Sequence, residues 1–302
     1  MARDNPLDAF ILSNGFCVFD GGLATELEAK GQVLNDHLWS ARLLGDDPDL
    51  IRETHLSYFR AGADVATTAS YQASFDGFER KGWNREEASR LMTLSVQLAS
   101  DARDIFSMES TSPKEVPMAS DEGQGARPKP APVVAASLGS YGASLADGSE
   151  YRGNYSLSVD ELREWHRDRV AVLSRAGADL LMFETIPCVK EVRAVLELLK
   201  DFSSVRAIIS VSLKDGEHLR SGEPLLDAAS VMHLADTSDE VRASQAASSV
   251  VGFGINCTSP DHISRALCVL AEAGVAGGPH RSTGEGVGVA EKGEARGKGK
   301  GD

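Results

Sequence analysis

The chain has 302 residues, 42% of them hydrophobic and 25% charged, enough to bury one large core with nothing that forces a second domain. Its 31 Lys and Arg against 45 Asp and Glu give a net charge of −14, which opposes nucleic acid and anionic membrane surfaces as partners. Only four cysteines, a start that carries an acid and a proline instead of a basic and then apolar leader, and no apolar run near ~18 residues point to a reducing compartment, the cytosol, with no targeting segment or membrane span.

In chain order, Cys17-Val18-Phe19 reads as a first strand running into Asp20-Gly21-Gly22. Over 49–61, Leu50, Ile51, His55, Leu56, Tyr58 and Phe59 recur at three-to-four spacing and predict a helix that Gly62 stops. The strand Val65-Ala66-Thr67-Thr68 follows and opens into Ala69-Ser70-Tyr71-Gln72-Ala73-Ser74. A helix is expected over 85–106 behind Asn84 as N-cap. Residues 107–132, rich in Ser, Pro, Glu and Lys without periodicity, read as a disordered surface insertion. After a strand over 133–137, the capping box Ser158/Glu161 opens a helix with Leu162, Trp165, Val172 and Leu173 on one face. That helix ends at Arg175-Ala176-Gly177-Ala178-Asp179, a repeat of Arg60-Ala61-Gly62-Ala63-Asp64, and each copy is followed by an apolar strand. The second such strand leads into Phe183-Glu184-Thr185-Ile186-Pro187. A helix over 188–200, a strand over 207–212, a helix over 225–235 and a strand over 250–254 complete the pattern. The last strand runs into Gly254-Ile255-Asn256-Cys257, with a further helix around Ile263 to Ala273.

Near-continuous apolar strands separated by helices specify an α/β protein with a parallel sheet covered on both faces. Six strands fit either an open doubly wound sheet or an eight-stranded barrel lacking two strands, and the missing early G-x-G-x-x-G turn weakens a dinucleotide reading. Residues 1–274 form this domain, and 275–302, where Gly alternates with charge, read as a disordered tail.

Carboxylates, hydroxyls and a thiol gather where strands end, the place where parallel α/β proteins keep their chemistry. Taken one at a time, each has a plainer reading. Cys257 could be an ordinary buried cysteine, Asp20 a brace for the Gly21-Gly22 turn, Glu184 the partner of an Arg or Lys, and Tyr71 part of the core. Cys17, Cys188 and Cys268 read as packing residues. An unrelated barrel lyase would need a Lys or His at a strand end; Lys214 and His218 are the candidates, in a 213–224 segment that reads as a solvated connection.

Taken together, these blocks, with Ser137-Leu138-Gly139-Ser140-Tyr141-Gly142-Ala143 and Leu145-Ala146-Asp147-Gly148-Ser149-Glu150-Tyr151, resemble the homocysteine S-methyltransferase family over residues 16–270. The resemblance implies a (β/α)8 TIM-type barrel, here incomplete with about six βα units, and methyl transfer from a sulfonium donor to the homocysteine thiol, giving methionine. It also implies Zn2+, because a thiol of pKa ~8.5 becomes a nucleophilic thiolate on a zinc ion held by soft ligands. By resemblance Cys257 is a zinc ligand, Asp20 and Glu184 receive the homocysteine amino group, and Asn256, Tyr71 and Thr185 shape the pocket. The Tyr151-Arg152-Gly153-Asn154-Tyr155 stretch favours S-methylmethionine or S-adenosylmethionine over betaine as donor.

One departure qualifies the resemblance. The family pattern closes with a Gly-Gly-Cys-Cys block that supplies two further thiolates, and this chain has no adjacent cysteine pair. Gly277-Gly278-Pro279-His280-Arg281-Ser282-Thr283 is a faint counterpart, with His280 a conceivable nitrogen ligand. The expectation is a chain truncated or altered at its C-terminus, with a weakened Zn2+ site and open sheet edges that favour self-association. It is then either an impaired enzyme or an inactive homologue that binds an amino acid or a partner chain.

Overall fold

The computed structural model describes residues 5–34, 39–111, 130–232 and 249–275. Its strands are β1 (Val65–Thr67), β2 (Val133–Gly139), β3 (Leu180–Ile186), β4 (Ala207–Val211) and β5 (Val250–Ile255). All are parallel and lie side by side in sequence order. A doubly wound sheet reverses its order at a switch point, whereas a strictly sequential parallel order is that of a (β/α) barrel wall. The expected first strand contracts to one parallel bridge, Phe19 to Val65, on the outer side of β1.

The repeated Arg-Ala-Gly-Ala-Asp segments do the same work twice. Gly62 (φ 109°) ends α4 (Pro48–Ala61), and Gly177 (φ 92°) follows α8 (Val159–Leu173), both in the left-handed region that a side chain would strain. The aspartate that follows reaches the neighbouring strand: Asp64 Oδ2 accepts from Val18 N at 2.9 Å and Asp179 Oδ2 from Val134 N at 2.8 Å. Each copy therefore stops a helix and fixes the next strand's position in the wall.

Side chains alternate along the strands, so one set faces the barrel interior. Its lower layers are apolar: Val65, Val133, Ala135, Leu180, Met182 and Ile208 pack together, joined by Phe10 of α1 (Asp8–Asn14) and by Leu7 just before it, which plug that end. Two residues further along the same faces stand Thr67, Ser137, Glu184 and Ser210, so the interior turns polar at the C-terminal ends of the strands. The outer strand faces bury against the helices in the largest core cluster, which includes Val134, Ala136, Leu181, Phe183 and Ile209. Contributors to this layer include α6 (Arg85–Thr111) and α9 (Val189–Leu199), whose Val192, Val195 and Leu198 share one face.

Several expectations change. Helix α6 continues to Thr111, five residues past the expected end, so the start of the supposed insertion is helical. The 112–129 remainder of that insertion, 233–248 including the end of the helix expected over 225–235, and the 276–302 tail with His280 lie outside the described residues. The 213–224 segment is not a solvated connection: Leu213 and Leu219 are fully buried and pair across an antiparallel bridge. Cys188 is buried as expected, but Cys268 is exposed on the helix Pro260–Glu272. At the two margins of the wall, Phe16, Val18 and Phe19 are exposed and β5 is half-buried along its length. No described helix is long and apolar enough to cross a membrane.

His55 gives the fold an acid limit. It is fully buried in α4, its ring nitrogens find no hydrogen-bond partner among the described residues, and burial lowers its pKa from 6.5 to about 4. The unfolded chain therefore binds a proton below pH 6.5 that the folded chain refuses until about pH 4, so stability falls with pH across that window. His55→Leu is expected to flatten this slope when urea midpoints are compared at neutral and acid pH.

Candidate active site

All six residues singled out in the sequence converge at the C-terminal ends of the strands. Asp20 follows the Phe19 bridge, and its carboxylate accepts from Thr67 N at 2.8 Å and Thr67 Oγ1 at 2.9 Å. It is thus tied to β1 and not to the Gly21-Gly22 turn. Glu184, near the end of β3, accepts from the Ser137 hydroxyl through Oε1 and from Asn256 Nδ2 at 3.1 Å through Oε2. Its hydrogen-bond partners are neutral, which sets aside the plain ion-pair reading.

Asn256 is the hub. Its Oδ1 accepts from Thr185 N and from Ser210 Oγ, both at 2.8 Å, while Nδ2 donates to Glu184 and to Thr185 Oγ1 at 2.9 Å. A backbone N–H can only donate, so the Thr185 bond fixes which end of the amide is oxygen. Strands β3, β4 and β5 are knotted together through this one side chain.

Two of the three non-glycine residues with positive φ among the described residues meet here, Thr185 (φ 60°) and Cys257 (φ 47°). Thr185 sits where the β3–β4 register shifts between Phe183 and Ile186. A β-branched residue in the left-handed region is costly and persists only where its surroundings hold it; here the Asn256 amide does so. The distortion brings Thr185 Oγ1 to 3.3 Å from Cys257 Sγ. Cys257 is exposed at the site, not a buried packing cysteine. Partial desolvation raises its thiol pKa, the Thr185 bond lowers it, and the Glu184 charge raises it again. The protein alone therefore does not make this thiol a thiolate at neutral pH.

Tyr71 closes the ring of residues: its hydroxyl faces Thr185, and desolvation raises its pKa further. Gly139 makes room for it, since a Cβ there would lie 2.6 Å from the Tyr71 carbonyl oxygen and 2.8 Å from its ring. Both acids are held toward their neutral forms. Burial raises Asp20 from 3.8 to about 7, with a smaller contribution from the Glu184 charge, and desolvation likewise raises half-buried Glu184. Two desolvated carboxyl groups with few counter-charges form a receptor for a cation.

Sequence reasoning gave no site role to Ser137, Ser210, Glu150 or Arg220, although Ser137 and Glu150 lie in the blocks that carry the resemblance, and it read Tyr151 only as part of the stretch that favours a sulfonium donor. Ser137 and Ser210 are single hydroxyls in apolar strands, visible only once alternation is applied from the strand ends backward. Arg220 comes from the segment read as solvated and donates to the Cys257 carbonyl at 2.9 Å and to Ser212 Oγ at 3.1 Å. Lys214 and His218 of the same segment stay out of the cluster; His218 Nδ1 pairs with Asp215 at 3.0 Å, which removes the support for a lyase.

Comparison with known proteins shows the family of the chain. The homocysteine S-methyltransferase family profile matches residues 17–292. The chain is 48% identical over 259 residues to homocysteine S-methyltransferase YbgG of Bacillus subtilis, covering 86% of this chain and 74% of that protein. It is 39% identical over 263 residues to selenocysteine Se-methyltransferase of Brassica oleracea, covering 86% and 70%. Among solved structures, homocysteine methyltransferase MmuM of Escherichia coli in its metallated form superposes with a TM-score of 0.69 at 36% identity, covering 88% of this chain and 100% of that one.

Proposed function

The chain belongs to the homocysteine S-methyltransferase family, and from that premise we propose that its strand-end site binds homocysteine and methylates its sulfur from S-methylmethionine or S-adenosylmethionine. The observation that carries this reading is the pairing of a cation receptor, Asp20 and Glu184, with the exposed Cys257 sulfur across the Asn256–Thr185 bridge. Homocysteine's ammonium group binds the two carboxylates, and its thiol then extends toward Cys257, Thr185 and Tyr71.

In the reaction the homocysteine sulfur, as thiolate, attacks the donor's methyl carbon. The new S–C bond forms as the methyl–sulfonium bond breaks, its electron pair returns to the donor sulfur, and the thiol proton leaves to solvent. With S-methylmethionine the products are two methionines and a proton. A sulfonium leaves without general-acid help, so the residues' task is alignment and charge placement.

The Zn2+ expected from the resemblance does not fit the described residues as a complete site. They hold no group of three or more His, Cys, Asp or Glu able to bind a metal ion, and Cys257 is the one soft donor among the site residues. A closed site needs three or four ligands, so zinc is proposed here only as a weakly held ion. His280, the conceivable further donor, lies outside the described residues. A soluble cytosolic enzyme is the setting we infer, and the exposed Phe16, Val18 and Phe19 margin is where self-association would occur.

The test is methionine formation by the purified chain from homocysteine and S-methylmethionine, with and without added zinc. Methyl transfer lost in Cys257→Ser supports the proposal. Homocysteine binding with no transfer from either donor favours the second reading, an inactive homologue that binds an amino acid. The site also predicts a pH effect. An ammonium ligand favours ionised Asp20, whereas the empty site favours its acid form up to about pH 7. Homocysteine binding should therefore release protons and tighten as pH rises through about 7, and Asp20→Asn should weaken this dependence in calorimetric titrations.

A further inference from the structure

Homocysteine's ammonium accounts for Asp20 and Glu184, yet a third carboxylate faces the same space. Glu150 lies on the 3-10 turn Ser149–Tyr151 and is half-buried. Its Oε2 is sealed from solvent and has no hydrogen-bond partner among the described residues. Its neighbour in the turn, Tyr151, ties it to the reacting end of the site: Arg220 lies over the Tyr151 ring at 5.0 Å and donates to the Cys257 carbonyl at 2.9 Å, and the Glu150 charge helps raise the pKa values of Cys257, Tyr71 and Tyr151. Desolvation, with the Cys257 and Glu150 charges beside it, holds the Tyr151 hydroxyl in its neutral form.

The turn is held where it is by Gly142, whose Cβ, if present, would lie 2.5 Å from Glu150 N and 2.6 Å from the Ser149 carbonyl carbon. Arg152 directs its guanidinium to Asp147 at 3.3 Å and Ser149 Oγ at 2.9 Å, and acts on Glu150 through its charge without bonding to Oε2. An unpaired, solvent-shielded carboxylate oxygen is expensive unless a ligand satisfies it. Together with the tyrosine rings beside it, it forms the environment that a sulfonium prefers to water.

We propose that Glu150 receives the positively charged sulfur of the methyl donor, and so selects a sulfonium over the neutral thioether left after transfer. This rests on the methyltransferase reading. It gives product release a physical cause: loss of the methyl group removes the positive charge that Glu150 holds.

The experiment compares S-methylmethionine with methionine, which differ by one methyl group and its charge. At saturating homocysteine, Glu150→Gln is expected to raise the KM for S-methylmethionine about tenfold, the size of one partly desolvated charge pair. The inhibition constant of methionine against the donor should change less than about twofold, and Glu150→Asp should recover part of the loss. An equal rise for both ligands would show that Glu150 holds the amino group and would overturn the proposal, as would no change in either. Equilibrium dialysis of labelled S-methylmethionine and methionine reads the same ratio without turnover. A wild-type chain that transfers no methyl group thus contradicts the methyltransferase reading, while the dialysis ratio still decides the role of Glu150.

Discussion

Asn256→Ala is expected to lower kcat/KM for homocysteine by about two to three orders of magnitude, the scale of losing preorganised polar contacts in an enzyme site, while costing the fold only about 1–3 kcal/mol. The substitution removes the acceptor for Thr185 N and Ser210 Oγ and the donor to Glu184 in one step. Thr185 then has no reason to keep its positive φ, and its hydroxyl withdraws from Cys257. Stability suffers less because the loss is confined to the strand ends, above the apolar layers of Val133, Leu180 and Met182. Steady-state kinetics beside urea denaturation separates the two effects. A variant that keeps wild-type kcat/KM would remove Asn256 from the organisation of the site.

Arg169→Met is expected to have the largest effect on stability, about 3–5 kcal/mol, the upper range for breaking a buried network of charge-assisted hydrogen bonds. Arg169 is fully buried in α8 and donates to the carbonyls of Gly139 at 2.9 Å and Tyr71 at 3.1 Å. Burial lowers its pKa to about 10, with the Glu191 charge opposing the fall, so it remains a cation at neutral pH. Glu191 is equally buried and accepts from Tyr141 N at 2.6 Å and from the Tyr155 hydroxyl, with His166 Nε2 at 2.9 Å. The methionine would strand the two carbonyls and remove the cation whose field acts with the Glu191 charge, while Glu191 keeps its own hydrogen bonds. It would also release the backbone of Tyr71, so the variant should lose homocysteine binding even where it still folds. Arg169→Lys keeps the charge but not the two-armed geometry and should fall between the two. A methionine variant within 1 kcal/mol of wild type in urea would contradict this assignment.

The barrel's repeat unit was legible because it is written twice in the chain. Both Arg-Ala-Gly-Ala-Asp copies mark a helix stop and a following strand, and Gly62 and Gly177 have the backbone that such a stop requires. The aspartate's reach to Val18 or Val134 was not legible, because nothing local names a partner 46 or 45 residues away. Helix α1 escaped notice because its seven residues carry little periodicity; Phe10 is buried only because the barrel end is open to receive it.

At the site, Asp20, Glu184, Asn256 and Cys257 stood out as polar residues directly after apolar runs. The left-handed backbone at Thr185 and Cys257 could not be read from residue type, since neither Thr nor Cys favours it. Arg169 was hidden among Glu164, Arg167 and Asp168 on a helix that otherwise looks solvated on that side. Its burial follows from the tertiary position of Gly139 and Tyr71, which no spacing rule supplies.

The most direct test of the site is calorimetric titration of homocysteine into the 302-residue chain without added metal, alongside Glu184→Gln and Cys257→Ser. The expected result is saturable binding to wild type, near-complete loss in Glu184→Gln and retention in Cys257→Ser, because the carboxylates hold the amino acid while the thiol end serves the transfer. No binding to a folded wild-type chain, or unchanged binding in Glu184→Gln, would contradict the assignment of the strand-end carboxylates to homocysteine.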